Sequence, residues 1–269
     1  MQITEHNAAT VATNQAQRIP IEVFPILSAA PSSVAVQSVL VGAVPGVAAD
    51  LVTIGGPAQF RDSGDLNHEV IWLFIGGPAV IHTRSLDYKL TDETIARAPL
   101  GWAWSIEVEA GQTLRAIRFR KELSVEDRGE LAKFAENNAA PWIRRFLDCP
   151  SYTEAIKSPK TVSRTLLPEN FVPRMAIGTV ETTGPDRVGR HQHPMLEQYF
   201  IGLQGNDATV SADAVNSQFP EFSILHIPLG SMHGTEVAAG KRLYYVWLDF
   251  FTTKEGQEWL KMHKPIHEK

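Results

Sequence analysis

The sequence predicts an all-β protein with helical additions, in which one barrel-like fold occurs twice. Short apolar runs separated by Gly-Gly and Pro-Gly turns begin at Ile21 and recur as far as Arg120, a pattern typical of sandwiches and barrels. A second series of such runs starts near Thr161 and ends at Phe251. The two series resemble each other, and this internal repeat determines the predicted domain plan.

The repeat is clearest in two pairs of segments. Residues 99–114 agree with residues 228–243 at eight of sixteen positions, at an offset of 129. Residues 69–77 align with residues 197–205 at an offset of 128, and a one-residue difference in length reconciles the two offsets. One fold is therefore expected to be present twice.

We predict an N-terminal barrel over residues 1–123, a helical linker over residues 124–158, and a C-terminal barrel with a terminal helix over residues 159–269. In the linker, Ser124 and Asp127 resemble a capping box, which marks the start of a helix. The linker helices are expected to pack across the junction between the barrels, with a lid as the alternative.

Two further segments of the linker are short helical candidates. Pro141 can open a helical turn carrying Trp142 and Phe146. Residues 152–157 could form another turn before Pro159.

Composition limits the classes of partner. The chain has 269 residues, a formal net charge of -5 and a pI of about 6.0, without a basic block. Nucleic acid and anionic membrane are therefore not expected, and a small molecule is. Residues 1–17 suggest a flexible arm or a strand that needs a partner, not a secretory signal. With a single cysteine, Cys149, expected to be buried and inert, the sequence indicates a cytoplasmic protein.

One heptapeptide, residues 191–197, predicts a metal site. His191 and His193 stand two apart and project from one face of a strand. A proline follows them and suits the end of the strand, so Glu197 can approach from the turn or the next strand. His233 follows a Pro-x-Gly turn later in the chain. Three imidazoles and a carboxylate suit one divalent first-row metal, such as zinc, manganese, iron or nickel.

The N-terminal copy lacks this ligand set. The positions that match His191, His193 and His233 hold Ser63, Asp65 and Trp104, and only the carboxylate is kept, as Glu69. A single oxygen ligand holds a transition metal poorly. We therefore expect a metal-free copy with a structural or dimerising role, within a homo-oligomer.

Isolated histidines elsewhere have ordinary interpretations. His68 and His82 are expected to be hydrogen-bonded or exposed, because each stands alone in a strand. His263 and His267 are expected to lie in a solvated tail.

The predicted pocket lies around the metal. The strand that ends at Phe251 is rich in aromatic residues on both of its faces, so at least one ring lines the barrel. The predicted lining residues are Met195, Tyr199, Met232, Tyr245 and Trp247. Four protein ligands leave about two of about six octahedral positions open. With one carboxylate among the ligands, a divalent ion keeps residual positive charge, which favours an anionic oxygen ligand.

The motifs H-x-H-x3-E and P-x-G-x2-H resemble the two metal motifs of the cupin superfamily, which implies two cupin barrels in tandem. In layout the chain most resembles 5-keto-4-deoxyuronate isomerase, through Glu197-x-Tyr199, Ser231-x-His233 and Tyr245-x-Trp247. The resemblance implies isomerisation of a keto-sugar acid through a metal-stabilised enediolate.

Such a reaction needs a general base. Tyr199, Glu236 and His226 are the candidates, and each has an ordinary structural interpretation. An iron(II)-dependent dioxygenase and a non-catalytic small-molecule-binding barrel are the alternatives.

Overall fold

The computed structural model describes residues 18–24, 29–154, 156–193, 195–262 and 266–267. The predicted N-terminal arm, residues 1–17, lies outside them. The first strands in chain order are β1 (Ile21–Val23), β2 (Ser33–Val39), β3 (Val47–Gly55), β4 (Ala58–Asp62), β5 (His68–Gly76), β6 (Ala79–His82), β7 (Asp87–Leu90), β8 (Thr94–Arg97), β9 (Trp104–Val108), β10 (Thr113–Glu122), β11 (Trp142–Arg145) and β12 (Ser151–Tyr152).

The strands of the second half follow the same plan. They are β13 (Val162–Thr165), β14 (Met175–Thr183), β15 (Asp186–Gln192), β16 (Leu196–Gly202), β17 (Asp207–Ala212), β18 (Val215–Pro220), β19 (Ser223–Ile227), β20 (His233–Val237), β21 (Arg242–Phe251) and β22 (Ile266–His267). Two helices complete the described elements, α1 (Val125–Lys133) and α2 (Lys254–Met262), with 3₁₀ turns at Ala135–Asn138 and Phe146–Asp148.

Each half is a pair of antiparallel sheets that enclose a core. The first barrel combines the sheet β11-β8-β5-β10-β3-β2 with the sheet β4-β9-β6-β7. The second combines β1-β19-β16-β21-β14-β13-β12 with β18-β17-β20-β15-β22. Strands that correspond in the repeat occupy corresponding places, since β10 lies between β3 and β5 as β21 lies between β14 and β16. The prediction of an all-β protein with two tandem barrels is confirmed.

The two larger sheets pack face to face, and this contact holds the barrels together. Alternating side chains of each strand lie on opposite faces, so the larger sheets bury residues on both faces. One buried cluster combines Phe119 and Leu73 of the first barrel with Tyr199 and Phe250 of the second. Separate clusters fill the two barrel interiors, around Trp72 in the first and Phe200 in the second.

Each barrel borrows an edge strand from the segment that precedes the other barrel. β1 precedes the first barrel but pairs with β19 of the second, with Ile21 opposite Leu225. β11 follows the first barrel's other strands and pairs back onto β8, with Trp142 opposite Arg97. The predicted boundaries at residues 123 and 158 therefore do not follow the strand pairing.

The helical linker prediction holds for its first part only. Ser124 caps α1, because its hydroxyl accepts the amide of Asp127 and the Asp127 carboxylate accepts the Ser124 amide. Trp142 to Arg145 and Ser151 to Tyr152 are strands rather than helical turns. Their apolar runs are too short to distinguish the periodicity of a helix from that of a strand. Pairing with the edges of β8 and β13 gives both segments the strand conformation.

The C-terminal helix is confirmed as α2, and the Thr253 hydroxyl accepts the amide of Gly256 at its start. Beyond it, the backbone of His267 pairs with that of His191, which corrects the expectation of a solvated tail at His267. His263 lies outside the described residues. Within the described part of the chain, no helix is both long and apolar enough to cross a membrane.

Candidate metal centre

Three histidines converge inside the second barrel. β15 and β20 pair so that His191 stands opposite His233, and His193 follows on the same face as His191. One ring nitrogen from each of the three lies within 4.8 Å of the others. Their ring centroids are 4.5 to 5.6 Å apart. The H-x-H and P-x-G-x2-H motifs thus meet at one point, as the sequence predicts.

Backbone carbonyls fix two of the imidazoles. His191 Nδ1 lies 2.8 Å from the Gly189 oxygen, and His233 Nδ1 lies 2.9 Å from the Ser231 oxygen. A carbonyl only accepts hydrogen bonds, so both Nδ1 atoms carry the proton and each Nε2 carries the lone pair. This is the arrangement found behind metal-bound histidines.

The remaining nitrogens of the cluster fit a metal. His233 Nε2 and His193 Nδ1 are buried without a hydrogen-bond partner, although buried polar atoms are nearly always paired. Burial, and then the neighbouring imidazoles, lower the pKa of His193 to about 3 and that of His233 well below its ordinary value. Both rings are therefore neutral near pH 7, the state in which imidazole binds a metal.

The fourth predicted ligand, Glu197, does not join the histidines. Its Oε2 lies 2.8 Å from His226 Nε2, and its side chain lines a cleft of about 540 Å³ at the barrel junction. Tyr199 and Phe200, further along the same strand, show which face is which. Tyr199 stacks on Phe119 of the first barrel, whereas the Phe200 ring lies 5.9 Å from that of His233. Glu197 shares the face of Tyr199, which corrects its assignment as a metal ligand.

The residue on the correct face is Gln198. It shares the inner face of β16 with Phe200, and its Nε2 donates a 2.8 Å hydrogen bond to Asp249 Oδ1. Because the amide nitrogen makes this bond, the Oε1 atom remains available as a metal-binding oxygen. Gln198 carries an amide, so a metal motif that requires a carboxylate at this place does not include it. A spacing of four intervening residues after His193, instead of three, leads to Gln198.

The three candidates for a general base lie away from the histidine cluster. Tyr199 faces the barrel junction, where its ring is 5.6 Å from that of Phe250. His226 is on the same side, bonded to Glu197. Glu236 is exposed, because it lies between the inward residues Thr235 and Val237 of β20. The structure therefore does not bring any of the three to the site.

The predicted pocket residues divide into two groups. Tyr245 lies inside the barrel, 4.9 Å from the Phe200 ring, and Trp247 covers Gly178 on the same face of β21. Met195 instead contacts the start of α2, and Met232 lies in a turn that pairs with Asp213.

The interior also contains charged residues that the motifs do not indicate. Asp249 is buried, and burial raises its pKa to about 7 despite the hydrogen bond from Gln198. Lys157 is buried beside Glu154 and Ser163. In the sequence, Asp249 stands out as a lone carboxylate within an aromatic strand.

The corresponding region of the first barrel is built differently. Trp104, at the position of His233, is buried in that barrel's core. Asp65 accepts a hydrogen bond from His68 at 2.7 Å, and His82 bonds Asp87, so neither histidine lacks a partner, as expected. Cys149 is buried and its pKa is raised to about 11 by that burial, in agreement with an inert thiol.

Known structures with a similar fold span most of this chain. A Pseudomonas aeruginosa protein named for induction by glyoxylate has 12% identity over 82% of this chain and 80% of its own, with a TM-score of 0.66. Oxalate decarboxylase from Lactobacillus farciminis has 12% identity, 78% coverage of both chains and a TM-score of 0.55. A cupin 2 conserved barrel domain protein from Leptotrichia buccalis has 13% identity, 86% and 97% coverage and a TM-score of 0.54.

Comparison of the sequence with protein-family models and curated proteins gives no match. The structural neighbours establish a cupin fold in two barrels, and at these identities they establish the fold alone. These neighbours do not support the resemblance to 5-keto-4-deoxyuronate isomerase.

Proposed function

We propose that the second barrel is a divalent-metal-dependent enzyme for small oxygenated acids, and that its reaction is the isomerisation of a keto-sugar acid. The observation that carries the proposal is the cluster of His191, His193 and His233, which are buried and converge on one point. Among known proteins of this fold, an oxalate decarboxylase acts on a small acid.

The donor set supports a reactive metal rather than a structural one. Structural zinc sites are usually closed and often rich in thiolate, whereas Cys149 is bonded to the Arg145 carbonyl of the linker. His191, His193 and His233 would hold the ion, with Gln198 Oε1 as an additional oxygen ligand. A bound divalent ion supplies a Lewis acid that acidifies carbon–hydrogen bonds beside a carbonyl.

The remaining residues would bind and shield the substrate. Asp249 orients the Gln198 amide through its 2.8 Å hydrogen bond. Phe200 and Tyr245 form an aromatic wall beside the histidines, and Trp247 packs against the same interior cluster. These rings exclude water, which strengthens electrostatic interactions there. A neutral His₃-Gln set leaves the whole charge of a divalent ion uncompensated, and this favours an anionic substrate.

The test combines metal analysis with turnover of 5-keto-4-deoxyuronate in sealed anaerobic vials. We expect one divalent ion per chain, and turnover without oxygen after reconstitution with zinc or manganese. Strict dependence on O₂ with stoichiometric oxygen consumption would replace the isomerase by an iron(II)-dependent dioxygenase. Metal binding without turnover on keto-uronates or catechols would instead favour a non-catalytic binding barrel.

A further inference from the structure

A buried lysine, Lys157, enters the second barrel from its side and is paired with the partly exposed Glu154. The Lys157 side chain is 6% exposed, and its Nζ lies 2.9 Å from a Glu154 carboxylate oxygen. The same Nζ donates to the Ser163 hydroxyl at 2.9 Å. Ser163 stands opposite Val180, which belongs to the interior core of this barrel. The ammonium of Lys157 therefore reaches the interior rather than the surface.

The segment that carries Lys157 is bonded to the strand of the histidines. The Gly189 amide donates to the Ile156 carbonyl at 3.0 Å, and the Gly189 carbonyl accepts from His191 Nδ1 at 2.8 Å. Lys157 itself forms a β-bridge with Val188. A short chain of hydrogen bonds therefore holds Lys157 in a fixed position relative to His191.

The charges around the amine come from two elements. Glu154 and Tyr152 belong to its own segment, whereas Asp249 and Tyr245 project from β21. Burial lowers the pKa of Lys157, although the Glu154 and Asp249 charges oppose this. Burial raises the pKa of both tyrosines, which keeps their phenols protonated. Asp249 is already bonded to the Gln198 amide. Lys157, held by Ser163 and Glu154 on the interior side, is the remaining group of this cluster that can gain and lose a proton.

We propose that Lys157 is the general acid–base residue of the second barrel, an assignment that rests on the proposed isomerase function. In its deprotonated form, the amine takes a proton from the hydroxyl-bearing carbon beside the substrate carbonyl, and the electron pair of that C–H bond moves towards the carbonyl. The resulting ammonium returns the proton to the former carbonyl carbon. The hydroxyl proton passes to the former carbonyl oxygen, so the reaction needs no oxidant or reductant.

The experiment compares Lys157→Met and Lys157→Arg, with Lys160→Met as the matched control. Lys160 is a nearby lysine that is bonded to the Thr183 and Pro185 carbonyls. Turnover of 5-keto-4-deoxyuronate is measured in deuterium oxide, with proton exchange at the substrate carbon followed by NMR. Both Lys157 variants should keep the metal and KM within about threefold and lose kcat by about 10²- to 10⁴-fold. Lys160→Met should match the wild type.

An NMR titration of Lys157 without substrate tests the same assignment. In protein labelled with ¹³C at the lysine ε carbons, the resonance missing from Lys157→Met should titrate at lower pH than the exposed lysines. Wild-type kcat in Lys157→Arg would overturn the proposal, because arginine keeps the charge but not the proton exchange. A Lys157 midpoint equal to that of the exposed lysines would overturn it too. Loss of metal or of anaerobic turnover in the wild type, by contrast, contradicts the proposed function.

Discussion

Glu69 and Arg97 form a fully buried bidentate ion pair in the first barrel, with N–O distances of 2.7 and 2.9 Å. In the repeat, Glu69 matches Glu197 and Arg97 matches His226, which form the equivalent pair in the second barrel. Both barrels therefore use this carboxylate to join neighbouring strands on the outer face of the larger sheet. This explains why the glutamate survives in a half without the histidines.

Removing one member of the first pair should be costly. We expect Glu69→Gln to lower the free energy of unfolding by about 3–5 kcal/mol, because the Arg97 guanidinium would stay buried without its counter-charge. Urea unfolding followed by circular dichroism measures the change. The combined replacement Glu69→Leu with Arg97→Met removes both charges and should recover much of the loss. If Glu69→Gln were as stable as the wild type, the pair would have no structural role.

Two adjacent residues test the geometry of the metal site. Glu197→Gln should leave one metal ion per chain, because this side chain faces the barrel junction. Gln198→Leu should weaken metal binding by about 10- to 100-fold, as loss of a ligand or of its support does. Competition with a chelator measures the affinities. The opposite order of effects would restore Glu197 as a ligand.

The histidines themselves should be essential for metal binding. Substitution of His191 or His233 by alanine should abolish stoichiometric metal at micromolar protein, because two imidazoles hold a divalent ion far less tightly than three. Elemental analysis after growth with added metal is the measurement, and His82→Ala is the control because its ring bonds Asp87 and Glu107. Unchanged metal content in His191→Ala would contradict the assignment.

Acid should weaken the connection between α1 and the second barrel. Arg174 donates to both oxygens of Asp127, at 2.8 and 2.7 Å, and Lys121 adds a third contact at 3.2 Å. These interactions outweigh burial, which alone would raise the pKa, and lower the pKa of Asp127 from 3.8 to about 2. A depressed carboxyl pKa stabilises the fold above about pH 4, and this contribution is lost as the pH falls through about 2.

The size of this effect follows from the shift. A shift of nearly two units corresponds to about 2 kcal/mol of unfolding free energy at neutral pH. Asp127→Asn should be less stable than the wild type near pH 7 and approach it near pH 2, as measured by chemical denaturation across that range. A stability difference that does not change with pH would argue against an ionic origin.

The sequence predicted the barrels and three histidines because both leave local signals. Alternation, turn residues and the repeat define the strands, and the Pro-x-Gly turn places His233. The face of Glu197 was not predictable, because one residue more or less in the preceding turn moves every later side chain to the opposite face of β16. The repeat does indicate that Glu197 has another role, because Glu69 is kept in the first half although the three histidines are not.

Long-range pairing was also invisible in the sequence. β1 joins β19 about two hundred residues later, and three residues of isoleucine, glutamate and valine do not specify that partner. The sequence predicts a helical turn where β11 lies, because the strand conformation of β11 depends on pairing with the edge of β8. The position of Lys157 depends on that same tertiary context, through hydrogen bonds between its segment and β15.

The exchange of β1 and β11 makes the two barrels interdependent in a way that their tandem order conceals. A cut before Trp142 would leave each fragment with an uncovered strand edge, at β8 in one case and at β19 in the other, and such edges attract further strands. Removal of β1 alone would expose the β19 edge of the second barrel even with the rest of both barrels intact.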